Sequence, residues 1–146
     1  MADMICERAY KTAISRSKAS VPVRMLANQD KLKGRVLDYG CGRGKDADTY
    51  GMEKYDPYFF PALPDGKFNT ILCSYVLNVV SKQDEKRVIR KVLSLLEPGG
   101  CAYFTVRRDV KEDGITSKGT YQRDVVLNFK SVAKKNGKFE IYQKCV

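Results

Sequence analysis

The chain contains no histidine. It therefore lacks the commonest general base, the usual imidazole metal ligand and any Ser–His or Cys–His nucleophile pair. Few hydrolytic mechanisms survive that loss. No apolar run approaches the roughly 20 residues that a membrane span needs, and the N-terminal segment has no secretory apolar core, so a cytoplasmic location without a membrane partner is expected. Cys6, Cys41, Cys73, Cys101 and Cys145 include no CxxC pair. An odd set without ligand spacing reads as reduced, mostly buried thiols, with neither disulfides nor a metal site. Repeats and low-complexity tracts are absent too.

What is present is the material of one domain. A chain of 146 residues buries about 68–70% of the surface it exposes when unfolded, enough for one core. The formal charge of +10 is uneven along the sequence. Residues 1–35 hold eight Lys/Arg against three Asp/Glu, residues 36–104 nine of each, and residues 105–146 ten against five. If the two flanks converge, they make a positive face that attracts polyanions. A basic surface that serves only solubility is the plainer alternative.

The pattern reads as alternating strands and helices. Ser20 stands where it can cap a helix over 20–27, with Pro22 in its first turn. Arg35–Tyr39 is a short strand, 45–50 a short helix, 52–55 a second strand, and 58–67 an irregular stretch broken by Pro61 and Pro64. Phe68–Cys73 is a buried strand. Ser81 caps the clearest helix, with Val88, Ile89, Val92, Leu93, Leu95 and Leu96 on one face. Pro98-Gly99-Gly100 ends it before the strand 101–106. After a polar loop over 108–120, alternating runs around Asn136-Gly137 predict a hairpin over 131–142 with a type I′ turn. The expectation is an α/β sheet with an antiparallel end, organised as a basic segment and helix (1–35), a ligand-binding core (36–106), and a loop with closing hairpin (107–146).

The sharpest motif is Asp38-Tyr39-Gly40-Cys41-Gly42-Arg43-Gly44, which follows a strand and opens a helix. Such glycines allow a tight turn and close approach of backbone N–H groups to a ligand. Asp38 adds a carboxylate that can meet a ligand ammonium. Asp56 lies 18 residues beyond Asp38, and a carboxylate about that far past a nucleotide-binding glycine turn accepts ribose hydroxyls. An Asp-Pro turn needing no ligand is the competing reading of Asp56-Pro57.

With these residues in order, the chain resembles the class I S-adenosylmethionine-dependent methyltransferases. Val36–Gly44 is similar to their glycine-rich first motif, Phe68–Val80 to their fourth-strand motif, and Leu96–Gly100 to their L-x-P-G-G. The resemblance implies a trimmed Rossmann-like sheet, S-adenosylmethionine as cofactor, and cofactor contacts from Asp38, Gly40, Cys41, Gly42, Gly44, Asp56 and Ser74. It departs at Asn69, where the family is usually acidic, and at Asn78, where it usually has histidine. The segment between Asp56 and Phe68 is too short for the usual third strand and helix, so the loop Phe60–Asp65, with Leu63, is expected to form the adenine pocket. Over residues 10–80 a closer likeness is to the methyltransferases found alongside DNA phosphorothioation systems.

A methyl on a sulfonium is already activated, so in-line alignment does most of the work, and positioning supplies about 7–11 kcal/mol in such cases. Ser74 and Tyr75 are the residues expected beside the transferred methyl. If a base is needed, Tyr39, Tyr75 and Asp109 are the candidates. Neither the [DNS]-P-P-[YFW] tetrad of DNA amino-methyltransferases nor the Pro-Cys of cytosine C5 enzymes occurs here. The acceptor readings are a nucleic acid, or something bound to one, and a small anionic molecule. A third reading is a protein that binds the cofactor without transfer or consumes it otherwise. Arg16, Lys18, Arg24, Arg107 and Arg108 are expected to form a positive rim around the acceptor.

Overall fold

The structure is a computed structural model that describes residues 17–117 and 119–146. Its elements are α1 (Val21–Asn28), β1 (Val36–Tyr39), α2 (Lys45–Tyr50), β2 (Glu53–Tyr55), β3 (Phe68–Ser74), α3 (Lys82–Ser94), β4 (Leu96–Arg107), β5 (Gly114–Ile115), β6 (Tyr121–Gln122), β7 (Lys130–Lys135) and β8 (Phe139–Cys145), with a 3-10 turn at Leu77–Val79. The main sheet runs β2-β1-β3-β4-β8-β7. The first four strands are parallel, and β8 and β7 are added antiparallel. This is the trimmed Rossmann-like sheet with its closing hairpin. It stops at β2, a three-residue edge strand, because no third strand follows.

Period-2 alternation sends side chains to the two faces of the sheet. Ile71, Cys73, Ala102, Phe104 and Val106 join Val88 and Val92 of α3 on one face. Leu72, Tyr103, Phe139 and Ile141 meet Val23 and Leu26 of α1 and Ala47 of α2 on the other. Among the described residues no helix is long and apolar enough to cross a membrane.

Several local expectations are corrected. Ser20 makes no capping bond; its N–H and hydroxyl both donate to the Asp46 carboxylate, at 2.6 and 2.9 Å. Ser81, in contrast, does cap α3, accepting from the Asp84 N–H. β4 begins at Leu96, before Pro98-Gly99-Gly100, and residues 97–100 form an irregularity opposite Phe68–Thr70. Gly100 is needed there, because a Cβ would sit 2.9 Å from the Asn69 carbonyl oxygen. In the closing hairpin only Gly137, not Asn136, has positive φ, so the turn is not type I′, which requires both. Cys101 and Cys145 are cross-strand partners of β4 and β8 and are joined by a disulfide. Strand register brings them together without any short-range cysteine spacing. Cys41 and Cys73 are free thiols, and Cys6 lies outside the described residues.

The predicted loop after β4 carries a small hairpin, β5–β6, and two arginines fasten this flap. Arg108 donates to Glu140, Tyr142 and the Val125 carbonyl. Arg123 is buried and donates to Glu85 at 2.7 Å and to the carbonyls of Leu77 and Val80. Breaking a buried pair from one side leaves an uncompensated charge, which costs about 3–5 kcal/mol. Arg123→Met should therefore lower the urea unfolding free energy by about that much. Adding Glu85→Leu should restore part of it. Additive losses in the double variant would show that the pair is not what holds the flap.

Candidate functional site

A cleft of about 770 Å³ opens at the carboxyl ends of β1, β3 and β4, the place where open α/β sheets bind ligands. Its volume is that of a small-molecule site. The glycine turn forms one wall, Ser20–Pro22 another, and Ser74–Val76 and Arg107 the floor; Thr120 and Gln122 come from the flap, and Lys135, Lys138 and Phe139 from the β7–β8 corner.

Gly40, Gly42 and Gly44 all have positive φ. At Gly40 a Cβ would also run into Cγ2 of Val76, so the turn lies directly against the end of β3. The turn hangs from the end of β2: the Gly40 and Cys41 N–H groups donate to the Tyr55 carbonyl at 2.7 and 3.0 Å. Asp56 completes the brace. Its Oδ2 accepts from the Gly42 N–H at 2.9 Å, and its Oδ1 accepts from Tyr58 and Phe59 at 2.9 and 3.0 Å. These bonds make Asp56 the anchor of its own Asp-Pro turn and of the glycine turn at once. A carboxylate offers about four acceptor positions, and three backbone bonds leave room for another donor.

Asp38 is buried beside this turn. Burial pushes its carboxyl up to about 8, and the nearby charges of Asp46 and Asp56 push the same way. Burial also holds the Cys41 and Cys73 thiols well above their usual range, so neither supplies a thiolate near neutrality.

The floor carries two signs of a site. Tyr75 has φ of 61°, an uncommon conformation for a bulky residue and one that clusters at ligand sites. Ser74 Oγ, Thr105 Oγ1 and Gln122 Oε1 are buried without a hydrogen-bond partner. Ser74 and Thr105 are paired across β3 and β4, and Ser74 and Gln122 line the cleft. Buried polar groups without partners are rare in native proteins and call for an explanation. A polar ligand seated here would supply one.

Of the expected base candidates, Tyr75 and Asp109 line the cleft and Tyr39 does not; Tyr39 is buried against Tyr55 with ring centroids 4.8 Å apart. Asp109 is bound by the Arg107 guanidinium at 2.7 and 2.6 Å, and that hydrogen bond holds its carboxyl below the usual range. It is ionised but only weakly basic.

The expected five-residue rim is not brought together. Arg107 lines the cleft, but Arg108, next along the strand, points to the opposite face and is held by Glu140. Lys18 and Arg24 are exposed and outside the cleft wall, and Arg16 lies outside the described residues. Leu63 packs against the core, and none of residues 57–66 lines the cleft, so the loop expected to hold adenine does not form this wall. Lys135, Lys138, Thr120 and Gln122 were missed because strand pairing and the flap carry them there from far along the chain. Asn78, in place of the usual histidine, is a fastening: it accepts from the Arg107 N–H at 2.8 Å and donates to the Arg123 carbonyl at 2.7 Å.

A family model described as a methyltransferase domain matches residues 10–143. Among solved structures, the 1,6-didemethyltoxoflavin N1-methyltransferase of Burkholderia thailandensis, with 1,6-didemethyltoxoflavin and S-adenosylhomocysteine bound, has a TM-score of 0.59 at 17% identity over 95% of this chain and 78% of that one. The glycopeptide N-methyltransferase MtfA gives 0.63 at 14% identity, over 89% and 96%. The DhpI–SAH complex gives 0.57 at 15%, over 86% and 82%. No curated protein matches the sequence. The chain belongs to the methyltransferase-domain family and is an S-adenosylmethionine-dependent methyltransferase.

The cleft fits that cofactor. Its glycine turn is open to a close ligand, and the buried Ser74 hydroxyl lacks a partner. Asp38, Asp46 and Asp56 make a wall of carboxyl groups, of which buried Asp38, with its pKa raised to about 8, would ionise to meet a cation. This generates a pH dependence. An ammonium bound beside Asp38 would favour its ionised form, so below the raised pKa binding would expel a proton. Affinity for S-adenosylhomocysteine should rise by close to tenfold per pH unit below about 8 and flatten above it. Calorimetry across pH 6–9 reads this, and Asp38→Asn should remove the slope. The same slope in that variant would assign the proton elsewhere.

Proposed function

We propose that residues 1–146 act as one catalytic domain that holds S-adenosylmethionine across the turn Gly40–Gly44. Asp38 faces the cofactor's amino-acid end, Asp56 its ribose, and Ser74 and Tyr75 the methyl. The observation that carries this placement is the joining of the glycine turn, the buried carboxylates and the partnerless Ser74 hydroxyl in one cleft. When bound, the cofactor supplies an activated methyl and a neutral leaving thioether. The chain's part is alignment: the floor at Ser74–Tyr75 and the flap wall at Thr120 and Gln122 confine an acceptor between them.

The acceptor proposed is a nucleic acid or a group carried on one. Arg43, Lys45, Lys135 and Lys138 line the cleft, and a charge of +10 favours polyanions. The likeness of residues 10–80 to the methyltransferases found with DNA phosphorothioation systems supports the same reading. A small anionic acceptor is the second reading. It is favoured by the flap, whose buried Gln122 carbonyl suits an N–H or O–H donor on a compact molecule.

Two measurements test these assignments. Asp56→Ala should weaken S-adenosylhomocysteine binding by about 1.5–3 kcal/mol, the scale of hydrogen bonds to a charged group. The loss should shrink for the 2′,3′-dideoxyribose analogue; an equal loss for both would leave Asp56 only its bracing of the turn. Formation of S-adenosylhomocysteine should accelerate at least tenfold when mixed-sequence DNA or RNA is added. No acceleration by either, from a protein that binds S-adenosylhomocysteine, would overturn the nucleic-acid acceptor.

A further inference from the structure

The segment 36–104 has as many acids as bases, yet the fold distributes them unevenly. Asp38, Asp46 and Asp56 gather at the cleft, together with Arg43 and Lys45. Lys82, Lys86, Arg87, Arg90 and Lys91 gather on α3. The two acids of α3 offset little of this charge: Glu85 is turned inward to Arg123, and Asp84 lies 3.8 Å from Arg87. Among the described residues no ion pair involves Lys82, Lys86, Arg90 or Lys91. Arg24, Lys67 and Lys130 are equally unpaired, so it is the arrangement on one helix that sets these apart.

The spacing is regular. Lys82, Lys86 and Arg90 repeat at i, i+4 and i+8, so their charges recur about every 6 Å along one side of the helix. Arg87 and Lys91 make a second row beside them. Like charges at i,i+4 work against a helix, and here they occur at 82/86, 86/90 and 87/91. A local rule broken without a structural return marks a functional surface. α3 is also placed to serve the cleft: Val79, three residues before Lys82, lines it. From there the stripe runs about 14 Å back along the strands toward the start of β4.

We propose that this face of α3 is a docking surface for the phosphodiester backbone of a nucleic acid, with the strand leading past Lys82 into the cleft. The choice of occupant rests on the nucleic-acid reading above and on charge complementarity with a repeating anion. A membrane surface fits less well. Membrane-lying helices expose an apolar face, but the apolar residues of α3 pack into the core, and none of the exposed large hydrophobic side chains among the described residues lies on α3.

The experiment uses the full chain and fluorescein-labelled 20-nucleotide DNA and RNA, single- and double-stranded, with anisotropy read over a salt series. The triple variant Lys86→Gln, Arg90→Gln, Lys91→Gln is compared with Arg24→Gln, Lys67→Gln, Lys130→Gln, which removes the same charge elsewhere. The α3 variant should bind at least tenfold more weakly at low salt. Its slope of log affinity against log salt should fall by about 0.7–0.9 per lost phosphate contact. The control should keep nearly all of its slope. Removing the repulsion should leave Tm unchanged or raised, and S-adenosylhomocysteine affinity unchanged, which separates docking from folding and from the cleft. Equal weakening of both variants, or none in either, would overturn the α3 assignment alone. Absence of wild-type binding to all four oligonucleotides would overturn both the assignment and the nucleic-acid acceptor. Tighter binding to phosphatidylserine vesicles than to any oligonucleotide would replace this partner with a membrane surface.

Discussion

Three backbone N–H groups converge on the carboxylate of Asp56, and the cleft is organised around that convergence. One donor belongs to Gly42 in the turn after β1, and two belong to the turn that follows Asp56 itself. The glycine turn has little regular structure of its own and is followed by only a six-residue helix. The Tyr55 carbonyl holds the start of the turn through the Gly40 and Cys41 N–H groups. Asp56 fixes its middle at Gly42; positive φ at Gly40, Gly42 and Gly44 would otherwise leave the chain freer. Hydrogen bonds to a charged acceptor contribute about 1.5–3 kcal/mol each, so Asp56 gives the turn one shape before any ligand arrives. The pre-organisation also explains the neighbouring electrostatics: fixing Asp56 and Asp46 near buried Asp38 is part of what raises the Asp38 pKa.

A second constraint closes the other side. Larger Rossmann-like enzymes have more secondary structure with which to build walls; this chain uses a two-stranded flap and fastens it with side chains. Asn78 ties the end of β4 to the flap through Arg107 and Arg123, and Arg123 in turn links the flap to Glu85 at the start of α3. Glu85 and Arg123 are both nearly buried, so neither can be removed alone without stranding a charge. The flap carries Thr120 and Gln122 into the cleft. The flap side of the cleft and α3 are therefore parts of one fastened unit.

What was legible in the sequence is what depends on local pattern. The strand–turn–helix at 36–50, the Ser81 cap and the closing hairpin are set by neighbouring residues, and the structure has them. What was not legible depends on register and on which face of a strand a residue occupies. Arg107 and Arg108 are adjacent in sequence, yet alternation sends one to the cleft and the other to Glu140. Cys101 and Cys145 meet only because β4 and β8 pair in one register. Ser20 has the residue type of a cap, but it makes no capping bond, and its N–H and hydroxyl donate instead to the Asp46 carboxylate of α2. Leu63 has no local pattern to place it, and the core takes it.

Charge counted along the chain misleads in the same way. A neutral count for residues 36–104 suggested that the flanks would carry any polyanion site. Neutrality is an average over elements that face different directions, however, and helices segregate charge by angle where a linear count cannot. The cleft itself holds both signs, Asp38, Asp46 and Asp56 on one wall and Arg43, Lys45, Arg107, Lys135 and Lys138 around them. On the docking proposed above, the further cations of α3, which begin at the edge of the cleft, would extend the attraction of those cations along an acceptor's backbone. At a Debye length of about 8–10 Å, charges spread along a helix of about 20 Å act on a ligand backbone locally, segment by segment. On that proposal a strand would be held along α3 while only its end enters the cleft, where carboxyl groups and cations lie side by side.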